Sequence, residues 1–521
     1  MTIDIGHHSQ ALSQLHVLER QHLQSAVRVI KLSGGSCDQE EDIILAHAAY
    51  SMSDMSGLRN MHWNCSGIFP HVLNDGLLAQ TRLHVSISGN GRVDDRVLEC
   101  FRALIGNQNL FSLSVHLGIQ DYAVCKEKML ALKEVLLTCP RLSRIPLLYV
   151  GHIVTAGYSR FEGPSFGAPY CGLGLSGGEK PPALEELGLK QYPWGREPTP
   201  PLISVEGVYC VGYPEKGDEV NYWAQEFDWS QLQKLNDIPS ELALEIASKF
   251  VRLREVILDA NYWDKSEFLE RLPTALESLS ISSWGHRVSA QWKSFLTDTD
   301  LITLSGSLPH LEELNLDLNR DTEKSAWPHS SLEALAKFPR LKILELWFEL
   351  GDGSTASPKP HLTISASREI FNYLRHCSSK ILSLEFHAGI PLSGVPERAN
   401  NLDPAPSWQW QNSARLLCKV SILDGDAADE YVTVKCPQLS SKTNEKLTRL
   451  SKLPRHERSP ARDATALAIQ VALDGPLSME DWKGWGRLQE LLAQEAYEAQ
   501  RKENSAGRRL VKRVGNVLAW K

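Results

Sequence analysis

Leucines recur along the chain in short segments in which apolar and polar positions alternate. Leu311-Glu-Glu-Leu314-Asn-Leu316 and Leu341-Lys-Ile-Leu344-Glu-Leu346 begin 30 residues apart, and a proline precedes each by two residues. In an extended strand successive side chains point to opposite faces, so the second and third leucines of each copy share one face. The pattern predicts a repeated strand with one apolar face.

Copies of this pattern recur across most of the chain. Because a single copy cannot bury its apolar face, stacked copies must bury one another's. The starts lie 21 to 48 residues apart, which suits long repeats with a helix between the strands. We therefore predict an α/β fold, an irregular leucine-rich-repeat solenoid with a curved parallel sheet on its concave side and helices on its convex side. The further copies begin at Val27, Leu58, Leu83, Leu110, Leu142, Leu184, Leu232, Leu253, Leu276 and Ile381.

The flanks of the array have a different character. The spacing of leucines over residues 1–25 predicts an N-terminal helical cap, and the repeats occupy residues 26–390. Segments rich in Gly and Pro predict insertions at about 151–183 and 195–228.

Beyond the repeats, residues 391–436 contain two alternating segments, Arg415–Leu423 and Tyr431–Cys436, which predict a hairpin that caps the array. Residues 437–521 are expected to form a polar linker, then a helix over 479–503 and a basic tail.

Composition narrows the class of protein. A chain of 521 residues exceeds the roughly 250–300 at which one compact core stops growing, as expected for a repeat array. A net charge of −8 argues against a nucleic-acid partner, and no apolar run approaches membrane-spanning length. The N-terminus lacks the features of a signal peptide, and the ten cysteines include no Cys-x-x-Cys pair. We expect reduced thiols, a cytoplasmic or nuclear location and no membrane partner.

Candidate catalytic chemistry is sparse. Gly174-Leu-Ser176-Gly-Gly178 matches the Gly-x-Ser-x-Gly nucleophile motif, but no apolar strand precedes it, which favours a flexible loop. The same segment lacks the Gly-Lys-Ser/Thr ending of a phosphate loop, and no His-Glu-x-x-His or paired-cysteine spacing occurs. We therefore predict no enzymatic activity, no cofactor and no metal site.

Binding residues are expected between the leucines. The third, fifth and seventh positions of Leu-x-x-Leu-x-Leu-x point away from the leucine face. In the later copies these positions carry six carboxylates and one tryptophan, an acidic stripe with an aromatic anchor that predicts a basic protein partner. An ordinary solvated face is the alternative. The predicted partner-binding residues are Glu255, Asp259, Glu313, Asn315, Asp317, Glu345, Trp347, Glu385 and His387.

Two further segments point to a known family. Residues 238–250 are similar to the first part of an F-box, although they also suit the convex helix of a repeat. With the irregular leucine copies and the stretch Trp-Ala-Gln-Glu-Phe-Asp-Trp-Ser-Gln-Leu at 223–232, the chain resembles the fungal F-box and leucine-rich-repeat-like proteins over residues 26–390. No recognisable F-box precedes the repeats. The resemblance implies a substrate-recognition subunit of an SCF-type ubiquitin ligase, docked on a Skp1-type adaptor.

Two functional hypotheses follow, and a hydrolase that uses Ser176 is the third. The first is a non-catalytic protein-protein interaction scaffold that binds its partner on the concave face of the array. The alternative, which the resemblance implies, is the substrate-recognition subunit of a ubiquitin ligase whose F-box is missing or divergent.

Overall fold

The structure is a computed structural model. It describes residues 2–5, 15–34, 48, 50–52, 54–65, 69, 77–89, 96–119, 122–152, 172–190, 192, 218–236, 246–259, 269–282, 296–321, 325–351, 357–389, 408, 412–422, 430–437, 439–458 and 464–478.

The chain divides into two compact units. The first contains residues 1–280 and 307–311, and the second contains residues 281–306 and 312–521. Strand β10 (Ser278–Ser282) spans the division.

Nine strands of the first unit form a parallel sheet in which sequence neighbours are also sheet neighbours. Parallel neighbours require a crossover connection, and here the segments between repeats provide it. The strands are β1 (Thr2–Ile5), β2 (Val29–Gly34), β3 (Asn60–Cys65), β4 (Arg82–Gly89), β5 (Leu110–Ile119), β6 (Arg144–His152), β7 (Glu186–Lys190), β8 (Lys234–Asn236) and β9 (Glu255–Asp259).

Helices of the first unit include α1 (Arg96–Leu104), α2 (Tyr122–Thr138) and α3 (Asp218–Gln225), with short 3-10 turns at Gln24–Ala26 and Ala247–Lys249.

Helix α2 shows why these segments are helical. Met129, Leu132 and Leu136 recur at helical spacing and are buried, whereas Leu130, on the other side of the helix, is 51% exposed. The helix ends before Cys139-Pro140, because proline disfavours helical geometry in the residue that precedes it.

The second unit continues with parallel strands and then reverses direction. Strands β11 (Glu313–Asp317), β12 (Ile343–Phe348) and β13 (Ser383–Ala388) are parallel. Strand β14 (Ala414–Ile422) pairs antiparallel with β13, and β15 (Glu430–Lys435) pairs antiparallel with β14. Its helices include α4 (Asp298–Ser307, whose last residue belongs to the first unit), α5 (His329–Ala336), α6 (Ile364–Cys377), α7 (Ser441–Leu450) and α8 (Ala464–Asp474).

Leucine rows form the core of the second unit. Leu314 aligns with Leu344 and Leu384, all buried, and the next row places Leu316, Leu346 and Phe386 in register. Leu341 and Ile381, which begin two of these copies, are buried as well. Each copy therefore supplies one layer of a continuous core, as the repeat pattern predicts.

The predicted fold class is confirmed. A strand lies at each of the predicted leucine copies, the strand pairs of the copies are parallel within each unit, and helices connect several of them. The hairpin predicted after the repeats is β14–β15.

The N-terminus differs from the prediction. A helical cap is expected over residues 1–25, but Thr2–Ile5 form β1, paired in parallel with β2. Residues 15–20 are helical. Thr-Ile-Asp-Ile is rich in β-branched residues, which favour extended backbone, so the first element is a strand of the sheet.

The predicted insertions and linker also contain regular structure. The insertion at 195–228 ends in α3, and the linker that follows the hairpin contains α7 and α8. Helix α7 begins after Ser440, whose hydroxyl accepts from the backbone N–H of Thr443 and so caps the helix. Residues 153–171 and 193–217, the helix predicted over 479–503 and the basic tail lie outside the described residues.

An aromatic cluster begins in α3 and includes side chains that follow this helix. Trp229 packs against Phe227 (ring centroids 4.7 Å apart), Trp223 (6.0 Å) and Phe250 (6.1 Å). Its indole N–H donates to the Trp223 carbonyl at 2.7 Å, so the buried polar atom has a partner. The cluster therefore serves as a packing element between β7 and β9.

None of the described helices is long and apolar enough to span a bilayer.

Removing the centre of the aromatic cluster should destabilise the first unit. Trp229 is 1% exposed, so Trp229→Ala leaves a large cavity and costs about 3–5 kcal/mol of unfolding free energy. Leu130→Ala on the exposed side of α2 should cost about 0.5 kcal/mol or less. Urea unfolding followed by circular dichroism compares the two variants, and equal midpoints would contradict a packing role for Trp229.

Candidate functional site

The open face of the sheet, defined as the face opposite the leucine core, carries the predicted partner-binding residues. In the second unit the strand register aligns all of them except Glu313 in two rows that cross β11 to β14. The first row is Asn315, Glu345, Glu385 and Leu417, and the second is Asp317, Trp347, His387 and Arg415.

Trp347 and His387 are neighbours in the second row and stack on each other. Their ring centroids lie 3.9 Å apart and their planes differ by 11°. Trp347 is 3% exposed and His387 is 6% exposed. The Trp347 N–H donates to Glu345 Oε1 at 2.8 Å, which fixes both the indole and the carboxylate.

Two carboxylates converge on the imidazole of His387. Its Nε2 atom lies 3.1 Å from Glu345 Oε1 and 3.1 Å from Glu385 Oε1, and neither oxygen is aligned with the N–H direction well enough for a hydrogen bond. Arg415 on the antiparallel strand donates through Nε to Glu385 Oε1. The cluster therefore holds two half-buried carboxylates on adjacent strands at fixed positions.

The charge state of Glu385 follows from these contacts. Partial burial acts to raise its pKa, but the nearby imidazole of His387 and the hydrogen bond and positive charge of Arg415 outweigh burial and lower the pKa from 4.5 to about 2. Glu385 is thus an anion at any physiological pH.

One oxygen of each carboxylate remains available. Within the described part of the chain, every hydrogen bond and ion pair of Glu345 and Glu385 uses Oε1. An ionised carboxylate accepts about four hydrogen bonds, so the Oε2 atoms can accept from donors on another molecule.

The aromatic anchor is not where the sequence predicts it. Trp347, expected to be exposed, is buried because its ring stacks on His387, and Asp317 and His387 in the same row are buried too. The row through Asn315, Glu345 and Glu385 is half-buried and faces solvent in part. In the copies of β11, β12 and β13 the seventh position is therefore buried, and the third and fifth positions form the accessible part of the face.

Exposed residues border this row. Glu313 is exposed on β11, and Ile343, its partner in register on β12, is 44% exposed. We use the name acidic face for Glu313, Asn315, Ile343, Glu345 and Glu385.

The remaining predicted residues lie in the first unit. Glu255 on β9 pairs with Lys234 at 2.7 Å, so its charge is neutralised locally. Asp259 ends β9, and its side chain lies outside the described residues. Both residues belong to the first unit, whereas the acidic face belongs to the second.

Sequence reasoning missed Arg415. It sits on a strand that belongs to no leucine copy, and antiparallel pairing brings it opposite His387. Strand alternation places Arg415 and Leu417 on one face, but the partner strand depends on the fold of the cap.

The serine nucleophile candidate has a structural role. Ser176 N donates to Glu179 Oε2 at 2.8 Å, and its hydroxyl lies 3.3 Å from the same oxygen. Burial alone raises the pKa of Glu179, but its hydrogen bonds with Lys133 and Ser176 lower it overall. Lys133 also forms an ion pair with Glu179 at 2.8 Å and donates to the Gly174 carbonyl at 2.7 Å. These contacts fasten the loop to α2, and the carboxylate that accepts from the Ser176 hydroxyl is itself held in an ion pair by Lys133.

No group of three His, Cys, Asp or Glu side chains within the described ranges is arranged to hold a metal ion. Six cysteines in those ranges carry free thiols; five are buried, and Cys377 is exposed. Burial raises the pKa of Cys100 to about 11 and that of Cys418 to about 12, so both are unreactive thiols at neutral pH.

The Glu385 cluster should make stability depend on acid pH. The folded pKa of about 2 lies below the ordinary 4.5, so pairing stabilises the fold above about pH 4.5 and is lost as the pH falls towards 2. Glu385→Gln should cost on the order of 2 kcal/mol at pH 7, and the difference from wild type should shrink across that window. Thermal unfolding at several pH values measures it, with exposed Glu369→Gln on α6 as the matched control. A difference that stays constant from pH 7 to 2 would contradict the pairing.

Comparisons with known proteins add little. No family model matches the chain, and no curated protein matches it. Among solved structures, a crystal structure of a TLR13-ssRNA13 complex matches with 14% sequence identity and a TM-score of 0.27, and the match covers 64% of this chain and 40% of that chain. The chain thus spans less than half of that structure's length, and a likeness at this TM-score carries no argument about function.

Proposed function

We propose that this chain is a non-catalytic protein-interaction scaffold whose acidic face binds a basic segment of a partner protein. The free Oε2 atoms of Glu345 and Glu385, held on adjacent strands, are the observation that carries the proposal. A repeat sheet suits this role because its face residues can vary without disturbing the leucine core.

The cluster prepares both carboxylates for binding. Trp347, His387 and Arg415 fix their positions, so little side-chain entropy is lost when a partner binds. Arginine or lysine donors that reach the Oε2 atoms form charge-assisted hydrogen bonds, which are roughly twice as strong as neutral ones.

An apolar contact lies beside the carboxylates. Ile343 is exposed between Glu313 on β11 and Ser383 on β13. A partner segment that alternates basic and apolar residues can place an apolar side chain on Ile343 while its cations reach the carboxylates. Carboxylates on such a surface raise the association rate and the selectivity for a partner more than they raise the affinity.

A defined peptide tests the charge preference. A dye-labelled (Gly-Arg)6 peptide should bind the full chain, and Glu313→Gln with Glu345→Gln should weaken binding about tenfold, since each exposed ion pair contributes about 0.2–1 kcal/mol. Glutamine keeps an acceptor for the Trp347 N–H, so the fold is preserved. Fluorescence anisotropy measures the affinity.

Glu369→Gln, which removes one exposed carboxylate from helix α6, is the control and should change the affinity less than twofold. Equal binding by wild type and the double variant would reject the acidic face as the site.

A photo-crosslinking residue at Ile343 identifies the natural partner, with the same residue at Leu130 as the control. Crosslinks to a basic segment that appear only from position 343 support the scaffold. Recovery of a Skp1-type adaptor with that partner would identify the chain as a substrate-recognition subunit, the narrower function that the family resemblance implies.

A further inference from the structure

Charge is segregated along the strands. None of the residues of β2 to β6 is Asp or Glu, and these strands carry Lys31, Arg82 and Arg144. After β6, the next strand, β7, begins with a carboxylate, Glu186. In a chain with net charge −8, five consecutive strands without a carboxylate form a distinct surface.

Aromatic rings connect the cations on this surface. Register aligns Lys31, His62 and His84 on β2 to β4. The His62 and His84 rings stack with centroids 4.4 Å apart and planes 13° apart, and His84 meets the Phe111 ring edge-on at 5.6 Å.

Phe111 in turn holds two guanidinium groups. Arg82 lies over its ring at 4.5 Å and Arg144 at 5.4 Å. Stacking on a ring orients a guanidinium while leaving its N–H edges available to an anion. We use the name basic–aromatic patch for Lys31, His62, Arg82, His84, Phe111 and Arg144.

The cations of the patch are only partly neutralised. Arg144 pairs with Glu185 at 3.2 Å. Lys31 and Arg82 are exposed and have no carboxylate partner among the residues that the structure describes.

The histidines contribute rings rather than charge at neutral pH. Burial, followed by the charges of His62, Arg144 and Arg82, lowers the pKa of His84 to about 4. Burial and Lys31 lower the pKa of His62. His84 Nε2 lies 3.2 Å from Asn60 Oδ1, a contact that an uncharged imidazole can make.

We propose that the basic–aromatic patch binds an acidic peptide segment of a second protein partner. Four strand spacings separate β2 from β6, roughly 19 Å, which is the length of about six extended residues. The patch is therefore too wide for one phosphate and fits a short run of Asp and Glu side chains. Carboxylates would pair with Lys31 and Arg82, and the peptide backbone would lie over the rings.

An acidic peptide fits better than a nucleic acid. The patch offers three cations, and the net charge of −8 repels a long polyanion, whose binding requires many phosphate contacts. This surface lies within the first unit, so the proposal does not depend on the acidic face of the second.

A dye-labelled (Ser-Glu)6 peptide tests the proposal by anisotropy on the full chain. Lys31→Gln and Arg82→Gln should each weaken binding about two- to fivefold and together about tenfold, as expected for exposed charge pairs. Arg102→Gln, on α1 and paired with Glu127, removes the same charge elsewhere in this unit and should leave the affinity within twofold. Unchanged circular dichroism and melting temperature confirm that each variant is folded.

Three results would overturn the proposal. The double variant could bind (Ser-Glu)6 as tightly as wild type, or wild type could show no binding at millimolar protein. Alternatively, an oligouridine RNA could bind more tightly than the peptide and lose affinity in the same two variants, which would make the patch a nucleic-acid surface. Retained binding in Glu313→Gln with Glu345→Gln separates this site from the acidic face.

Discussion

Parallel strand register is the constraint on which both surfaces depend. Each leucine copy must align with the next for the core to close, and Leu314, Leu344 and Leu384 show this alignment across three strands. Once the core rows are fixed, the intervening side chains line up as well, because the side-chain period of a strand is two. Glu345 and Glu385 therefore meet at His387 without any local motif that brings them together. Chemistry on this sheet arises from residues about 40 positions apart in the chain.

The fold was accessible from the sequence because its signal is repeated. Twelve copies of one spacing outweigh the irregular distances between them, and the apolar positions determine which face is buried. The leucine spacing does not predict which side chains of the other face are exposed to solvent. Position counting treats Trp347 and Glu345 alike, yet the large ring stacks on His387 and is buried whereas the carboxylate stays at the surface. The contribution of Arg415 required the pairing of a strand outside the repeats. Short unrepeated elements such as β1 and α8 have no second copy to support them, which is why a cap and a linker were expected there.

The strands of the two units differ in charge: the first unit carries the basic–aromatic patch, and the second carries the acidic face. In the first unit, Arg82 and Arg144 lie over the Phe111 ring. Further along the same sheet, the row Glu186, Lys234 and Glu255 alternates in charge and largely neutralises itself. In the second unit, carboxylates are supported by a tryptophan, a histidine and an arginine. A scaffold of this kind recognises partners through the polar residues of a few strands, and the net charge of the chain describes neither surface.

The closing hairpin has a further consequence. A parallel array can in principle grow by one more strand at its end, and an exposed strand edge invites pairing with another molecule, the route to aggregation. Here β14 reverses direction, and β15, which pairs with β14, begins with Glu430 and ends with Lys435. Lys435 is exposed, and a lysine on an edge strand opposes pairing with another molecule. Among the strands that the structure describes, the sheet order thus closes with a short antiparallel strand rather than with another leucine copy.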